Sequence, residues 1–235
     1  MEFHAQTPAV PAAGGTMPVF LARPAGDAPA PAVLVIQEAF GVNAHIEDVA
    51  RRIAAEGYVT LAPDLYWRGG RNRTVRYDQL AEAIAMMQAL SDDEVVADLA
   101  SAIAYLEQQP FVRRDRIGIT GFCMGGRVSY LAACELAGKI RASAPFYGGG
   151  IPIDRTAKLG CPVLAFFGEK DGYIPLAVVE QLKDELRRHG KQAEVIVYPG
   201  ADHGFFCNER TSYQAAAAED SWARLTKFFA THLKA

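Results

Sequence analysis

Cys123 stands in Gly121-Phe-Cys123-Met-Gly125-Gly126, after the apolar run Arg116–Thr120 and before a helical run from Arg127 to Leu136. A cysteine framed by glycines at a strand-to-helix turn is placed as a nucleophile. The strand folds back over the helix, a Cβ at Gly121 or Gly125 would crowd the turn, and the side chain between them projects from the sheet. The helix N-terminus behind it favours a thiolate, and the backbone N–H of Met124 would form one half of an oxyanion hole. Asp171, in Gly168-Glu-Lys-Asp171-Gly-Tyr-Ile-Pro175, and His203, in Pro199-Gly-Ala-Asp-His203-Gly-Phe-Phe206, each follow a further apolar run. Sulfur, carboxylate and imidazole in this order can do acyl chemistry. The thiolate attacks an acyl carbon, a tetrahedral oxyanion collapses to a thioester, and water hydrolyses it. His203 acts as base and then acid, and Asp171 fixes its tautomer. Blander readings stand beside these: a small buried hydrophobe for Cys123, a turn or N-cap aspartate for Asp171, a surface-loop histidine for His203. Glu169 is the local rival for the acid, whereas His4, His45, His189 and His232 occupy no equivalent loop.

The elements that must position these residues are short, nearly continuous apolar runs. Pro31–Gln37, Gly57–Ala62, Arg116–Thr120, Pro162–Phe167 and Glu194–Tyr198 read as strands of a parallel sheet covered on both faces, with Ala142–Tyr147 a weaker candidate poor in β-branched residues. Ala25–Ala32 reads as a connection before the first core strand. Between strands lie helical stripes. Val95, Leu99, Ile103 and Leu106 follow the capping pair Ser91 and Glu94; Trp222, Leu225 and Phe229 mark the last helix; Pro175 suits the first turn of a helix running toward Arg188. Strands alternating with helices predict a doubly wound, mostly parallel α/β sheet filling residues 1–235 as one domain, with the site at the strands' carboxyl ends. The order nucleophile, acid, histidine is the order of the α/β-hydrolase fold.

The 235 residues are 50% hydrophobic and 22% charged, with a net charge of −3, so no nucleic-acid or anionic-membrane partner is implied. Cys123, Cys134, Cys161 and Cys207 show no CxxC pairing and no histidine at zinc-ligand spacing, so no metal or cofactor is expected and the thiols fit a reducing compartment. The N-terminus has no leader pattern and no run is long enough to span a bilayer, which makes the expected location cytoplasmic. No exposed apolar stripe is evident, so a monomer is expected.

On these residues the sequence resembles the dienelactone hydrolases (carboxymethylenebutenolidases). The likeness covers nearly the whole chain and rests on Gln37-Glu38-Ala39-Phe40-Gly41, Ala62-Pro63-Asp64-Leu65-Tyr66, the Cys123 elbow, the Asp171 loop and Asp202-His203-Gly204-Phe205. It implies opening of the enol-lactone ring of a dienelactone to maleylacetate, a step in the breakdown of chlorinated aromatics. It also implies that Glu38 sits beside the resting cysteine and takes its proton as substrate binds, and that the Ala39 N–H is the second oxyanion donor. The alternative for Glu38 is a loop carboxylate paired with Arg127 or another arginine. One departure concerns the arginine that grips the substrate carboxylate soon after the histidine: Cys207 stands where it is expected, Arg210 lies further along, and Arg71, Arg73 and Arg76 are other candidates. Tyr147, Phe205, Trp67 and Tyr66 could line the pocket or simply pack the core. The implied partner is a small ester or lactone. A thioester or peptide hydrolase, or a non-catalytic ligand-binding homologue, would use the same scaffold.

Overall fold

The computed structural model describes residues 3–26, 28–70 and 72–235. Met1, Glu2, Asp27 within the expected 25–32 connection, and Arg71 lie outside them. The expected strands are present as β4 (Ala30–Ile36), β5 (Val59–Pro63), β6 (Val112–Phe122), β7 (Ala142–Phe146), β8 (Val163–Gly168) and β9 (Ala193–Tyr198), all parallel to their neighbours within this set. Apart from β9, whose outer edge is free of a strand partner among the described residues, they are largely buried, as expected where helices cover both faces. The weak candidate β7 forms because it is paired on both sides, and Thr120 Oγ1 donates to Ala144 O at 2.7 Å.

Three strands escaped the sequence reading: β1 (Phe3–Gln6), β2 (Ala9–Ala12) and β3 (Gly15–Pro24). β3 runs antiparallel to β5, and β1 and β2 fold back antiparallel onto β3. The first core strand is therefore β3, not the run at Pro31. Pro8, Pro11, Pro18 and Pro24 disguise this region, because proline remains compatible with edge pairing while diluting the apolar signal. The strand order β1-β3-β5-β4-β6-β7-β8-β9, with β2 on β3, is that of a mixed α/β-hydrolase-type sheet.

Helices α1 (Ala44–Ala55) and α6 (Ala215–Phe229) meet on one face, where Arg52 lies over the Trp222 ring at 4.0 Å. Helices α3 (Asp92–Gln108) and α4 (Met124–Glu135) are tied together by Arg127 and Asp92. Ser91 caps α3 through Glu94 N at 3.3 Å, and its hydroxyl donates to the Glu94 carboxylate at 3.0 Å. Helix α2 (Leu80–Gln88) follows β5 after a long loop, and α5 (Leu176–Arg188) begins just after Pro175. None of the described helices is long and apolar enough to cross a membrane.

Candidate active site

Five of the residues singled out in the sequence follow the ends of parallel strands: Glu38 follows β4, Cys123 β6, Tyr147 β7, Asp171 β8 and His203 β9. The elbow is as tight as its glycines suggest. A methyl on Gly121 would collide with the Gly125 carbonyl, and one on Gly125 with the Ile36 carbonyl, so α4 can approach β4 and β6 only with bare Cα atoms there. Cys123 takes φ 56° and ψ −117°, a region that costs a side-chain-bearing residue on the order of 1 kcal/mol or more. Its backbone N–H is held by Phe146 O at 3.1 Å.

His203 is buried and its Nδ1 lies 2.8 Å from Asp171 Oδ2. The other Asp171 oxygen accepts from Tyr173 N (2.9 Å) and Ile174 N (3.2 Å), so the carboxylate is both the turn residue of its loop and the partner of the imidazole. With Nδ1–H donated to Asp171, Nε2 is left for Cys123. Burial works to lower the His203 pKa, but the hydrogen bonds to Asp171 and Cys123 and their charges outweigh it and push it up to about 10. Glu169 is not a competitor: its carboxylate accepts from Gly200 N at 2.8 Å, at the surface.

Glu38 is fully buried, and the arrangement around it is an arginine pair. Arg210 Nη1 lies 3.2 Å from Oε1, while Tyr77 donates to Oε2 at 3.3 Å. Tyr77 in turn accepts from Asn43 Nδ2 (3.0 Å) and from the Cys207 thiol (3.2 Å), which leaves its proton to face Glu38. Burial pushes the Glu38 carboxyl up, opposed by Arg210, His203 and Tyr77. Arg127 is not the partner; it is committed to Asp92 at 2.7 and 3.1 Å and to Gly150 O at 3.1 Å.

Arg210 is the residue whose place the sequence concealed. Three successive turns, Cys207 N to Gly204 O, Arg210 N to Cys207 O and Tyr213 N to Arg210 O, coil the chain so that its guanidinium lies against Gly204. The space beside Gly204 is filled by Arg210. Arg73 and Arg76 reach Gly69 O and Asp78 instead. Because Arg210 compensates a carboxylate with no solvent access, Arg210→Ala should lower unfolding stability by about 3–5 kcal/mol near neutral pH. The deficit should shrink as pH falls toward the ordinary carboxyl value of 4.5, where Glu38 can become neutral. Denaturant titrations at two pH values check both parts.

These groups open onto a cavity of about 510 Å³ whose walls include Cys123, His203, Arg210, Ala39 and Met124. Met124 is the first residue of α4, where helical N–H groups lack intrahelical acceptors. The Glu38 carbonyl accepts from Gly41 N at 3.3 Å, so in the trans peptide the Ala39 N–H points the opposite way. Tyr66 steadies this loop by donating to Ala39 O at 2.9 Å.

The sequence model of the dienelactone hydrolase family matches residues 17–233. The chain belongs to the dienelactone hydrolase family. This family member is 41% identical over 229 residues to a "Putative carboxymethylenebutenolidase" of Synechocystis, covering 92% of each chain. It is 33% identical over 225 residues to a "Probable 2-oxo-3-(5-oxofuran-2-ylidene)propanoate lactonase" of Bradyrhizobium, covering 91% of this chain and 89% of that one. The crystal structure of a "Putative Dienelactone Hydrolase" from Klebsiella pneumoniae superposes with a TM-score of 0.91 at 36% identity, covering 99% of this chain and 100% of that one. The protein is thus a hydrolase of this family.

None of the four aromatics offered for the pocket wall of this dienelactone hydrolase family member, Tyr66, Trp67, Tyr147 and Phe205, is among the residues that line the cavity. Tyr147 and Phe205 have no exposed surface; they pack edge-on with ring centroids 5.2 Å apart, and Tyr147 also backs the His203 ring at 5.2 Å. Trp67 is drawn off by its indole N–H, which donates to Asp98 at 2.9 Å. The cavity wall is built instead by α2 and by Tyr173, which the sequence reading did not single out. Glu38, His45 and Cys207, distant in sequence, bring donor atoms within 4.8 Å of one another. That cluster suits a cation poorly. Glu38 is engaged by Arg210 and Tyr77, and His45, whose pKa falls to about 4 through burial, also feels Arg52 and Arg210.

Proposed function

We propose that the protein hydrolyses a lactone or carboxylic ester through a Cys123–His203–Asp171 triad and a thioester intermediate. The observation that carries this reading is the buried imidazole joined to Asp171 at 2.8 Å and sharing one cavity wall with a cysteine on a strained elbow. A raised His203 pKa favours an imidazolium beside the sulfur, the species that can protonate the leaving alkoxide. Acylation removes the negative sulfur, so the same ring loses part of its hold on the proton and can become the base that activates water. The N–H groups of Ala39 and Met124 would receive the oxyanion.

Arg210 gives the substrate a second feature, a carboxylate. A guanidinium on the cavity wall recognises that group bidentately, and it can serve in place of the arginine missing at 207. Its transfer from Glu38 to the substrate would leave Glu38 free to accept the thiol proton. A carboxylate-bearing lactone such as a dienelactone fits this reading.

The test is turnover of a panel of dienelactones, simple lactones and aryl esters, together with alkylation. Iodoacetamide should abolish turnover by modifying residue 123, and Glu38→Gln should alter the pH profile of that alkylation. Inactivation without label on residue 123 would defeat the assigned nucleophile, and an unchanged profile would remove Glu38 as its base.

A further inference from the structure

We infer that the cavity beyond Cys123 holds an apolar arm of the substrate, an alkyl chain or aromatic ring system laid along α2; this rests on the hydrolase reading above and names its substrate class further. Helix α2 is apolar on two sides. Ala83 and Met86 are buried in the body of the protein, while Leu80, Ile84 and Met87, at i, i+4 and i+7, face the cavity. The chain itself does not fully cover this second stripe: Leu80 is 42% exposed, and Ile84 and Met87 are half-buried. Leu90, Val95 and Val128 continue the apolar wall.

The charges near this wall are already spent on one another. Asp92 is gripped by Arg127 at 2.7 and 3.1 Å and approached by Arg155 at 3.4 Å, and the remaining Arg127 Nε donates to Gly150 O. Arg210, paired with Glu38 at 3.2 Å, lines the cavity together with His203 and Cys123. The cavity is therefore polar where the acyl carbon must sit and apolar beyond it. Leu80 to Met87 covers roughly 10 Å of helix at 1.5 Å per residue. A volume of about 510 Å³ lies in the range that encloses a drug-sized ligand and exceeds the needs of a bare lactone ring.

The experiment measures kcat/KM for para-nitrophenyl butyrate, hexanoate and octanoate, and for γ-lactones with and without an alkyl tail. Burial of the tail predicts a gain of about four-fold per methylene, roughly 200-fold from butyrate to octanoate. Ile84→Gln and Met87→Gln should each cut the octanoate-to-butyrate ratio several-fold, and Ile84→Ala, which adds no polar group, should cut it less. A flat or falling series with good turnover of short esters overturns the apolar arm and leaves the hydrolase reading intact. If no ester is turned over, which counts against the hydrolase reading itself, protection of Cys123 from iodoacetamide by octanoate against butyrate decides the arm. Stronger protection by octanoate supports it, and equal protection overturns it.

Discussion

Cys123→Ala is expected to lower kcat/KM for every ester or lactone substrate by roughly 10⁴-fold or more, since removing a nucleophile leaves only binding and oxyanion stabilisation. The substitution separates chemistry from folding well. Alanine keeps the Cβ, so the positive-φ backbone at residue 123 remains under the same constraint and the glycine contacts of the elbow are untouched. The denaturation midpoint should therefore stay close to that of the unmodified protein while turnover disappears. Steady-state kinetics on purified protein beside a denaturation curve gives both numbers. Turnover within about ten-fold of the starting protein would remove sulfur from the mechanism.

Asp171→Asn should cost roughly 10⁴-fold in kcat, because an amide can present its N–H to Nδ1 and turn the imidazole into the wrong tautomer. It should also displace the alkaline limb of the pH profile. Against the lowering effect of burial, the bond to Asp171 is the first of the interactions that raise the His203 pKa from 6.5 to about 10. A group raised in this way contributes stability that is complete below pH 6.5 and lost as pH climbs toward 10. Without the carboxylate, both the imidazolium and that stability should be lost at lower pH. Rate and unfolding profiles between neutral pH and pH 10 test the pair of effects. An alkaline limb that stays in place would mean that Asp171 does not hold the imidazolium.

The sequence was most informative where one physical signal stood alone. Runs such as Val33–Ile36 and Val163–Phe167 have no surface face, so continuous hydrophobicity marked them as covered strands. The glycines around Cys123 declared a close backbone approach, and a methyl on any of Gly121, Gly125 and Gly126 would meet a backbone carbonyl. Legibility failed where signals overlapped or where position depended on a coil. Prolines hid β1 to β3 although Val10, Met17 and Leu21 are fully buried there. Arg210 sits seven residues past His203, and only the three consecutive turns between Gly204 and Tyr213 return it to the site. Tyr147 and Phe205 have the composition of pocket aromatics, but β7 and the loop after β9 bury them behind the imidazole rather than in front of it. The α2 stripe was unread because its two apolar faces blur into general hydrophobicity.

The backbone at Cys123 limits how this molecule can be made sturdier. A positive-φ torsion and the proposed nucleophilic sulfur belong to one residue, and the neighbouring carbonyls leave the turn no slack in which to relax. Glycine would ease that torsion but delete the thiol, so hardening the protein against heat must begin elsewhere, at the amino-terminal hairpins or on the outer surface of the helices.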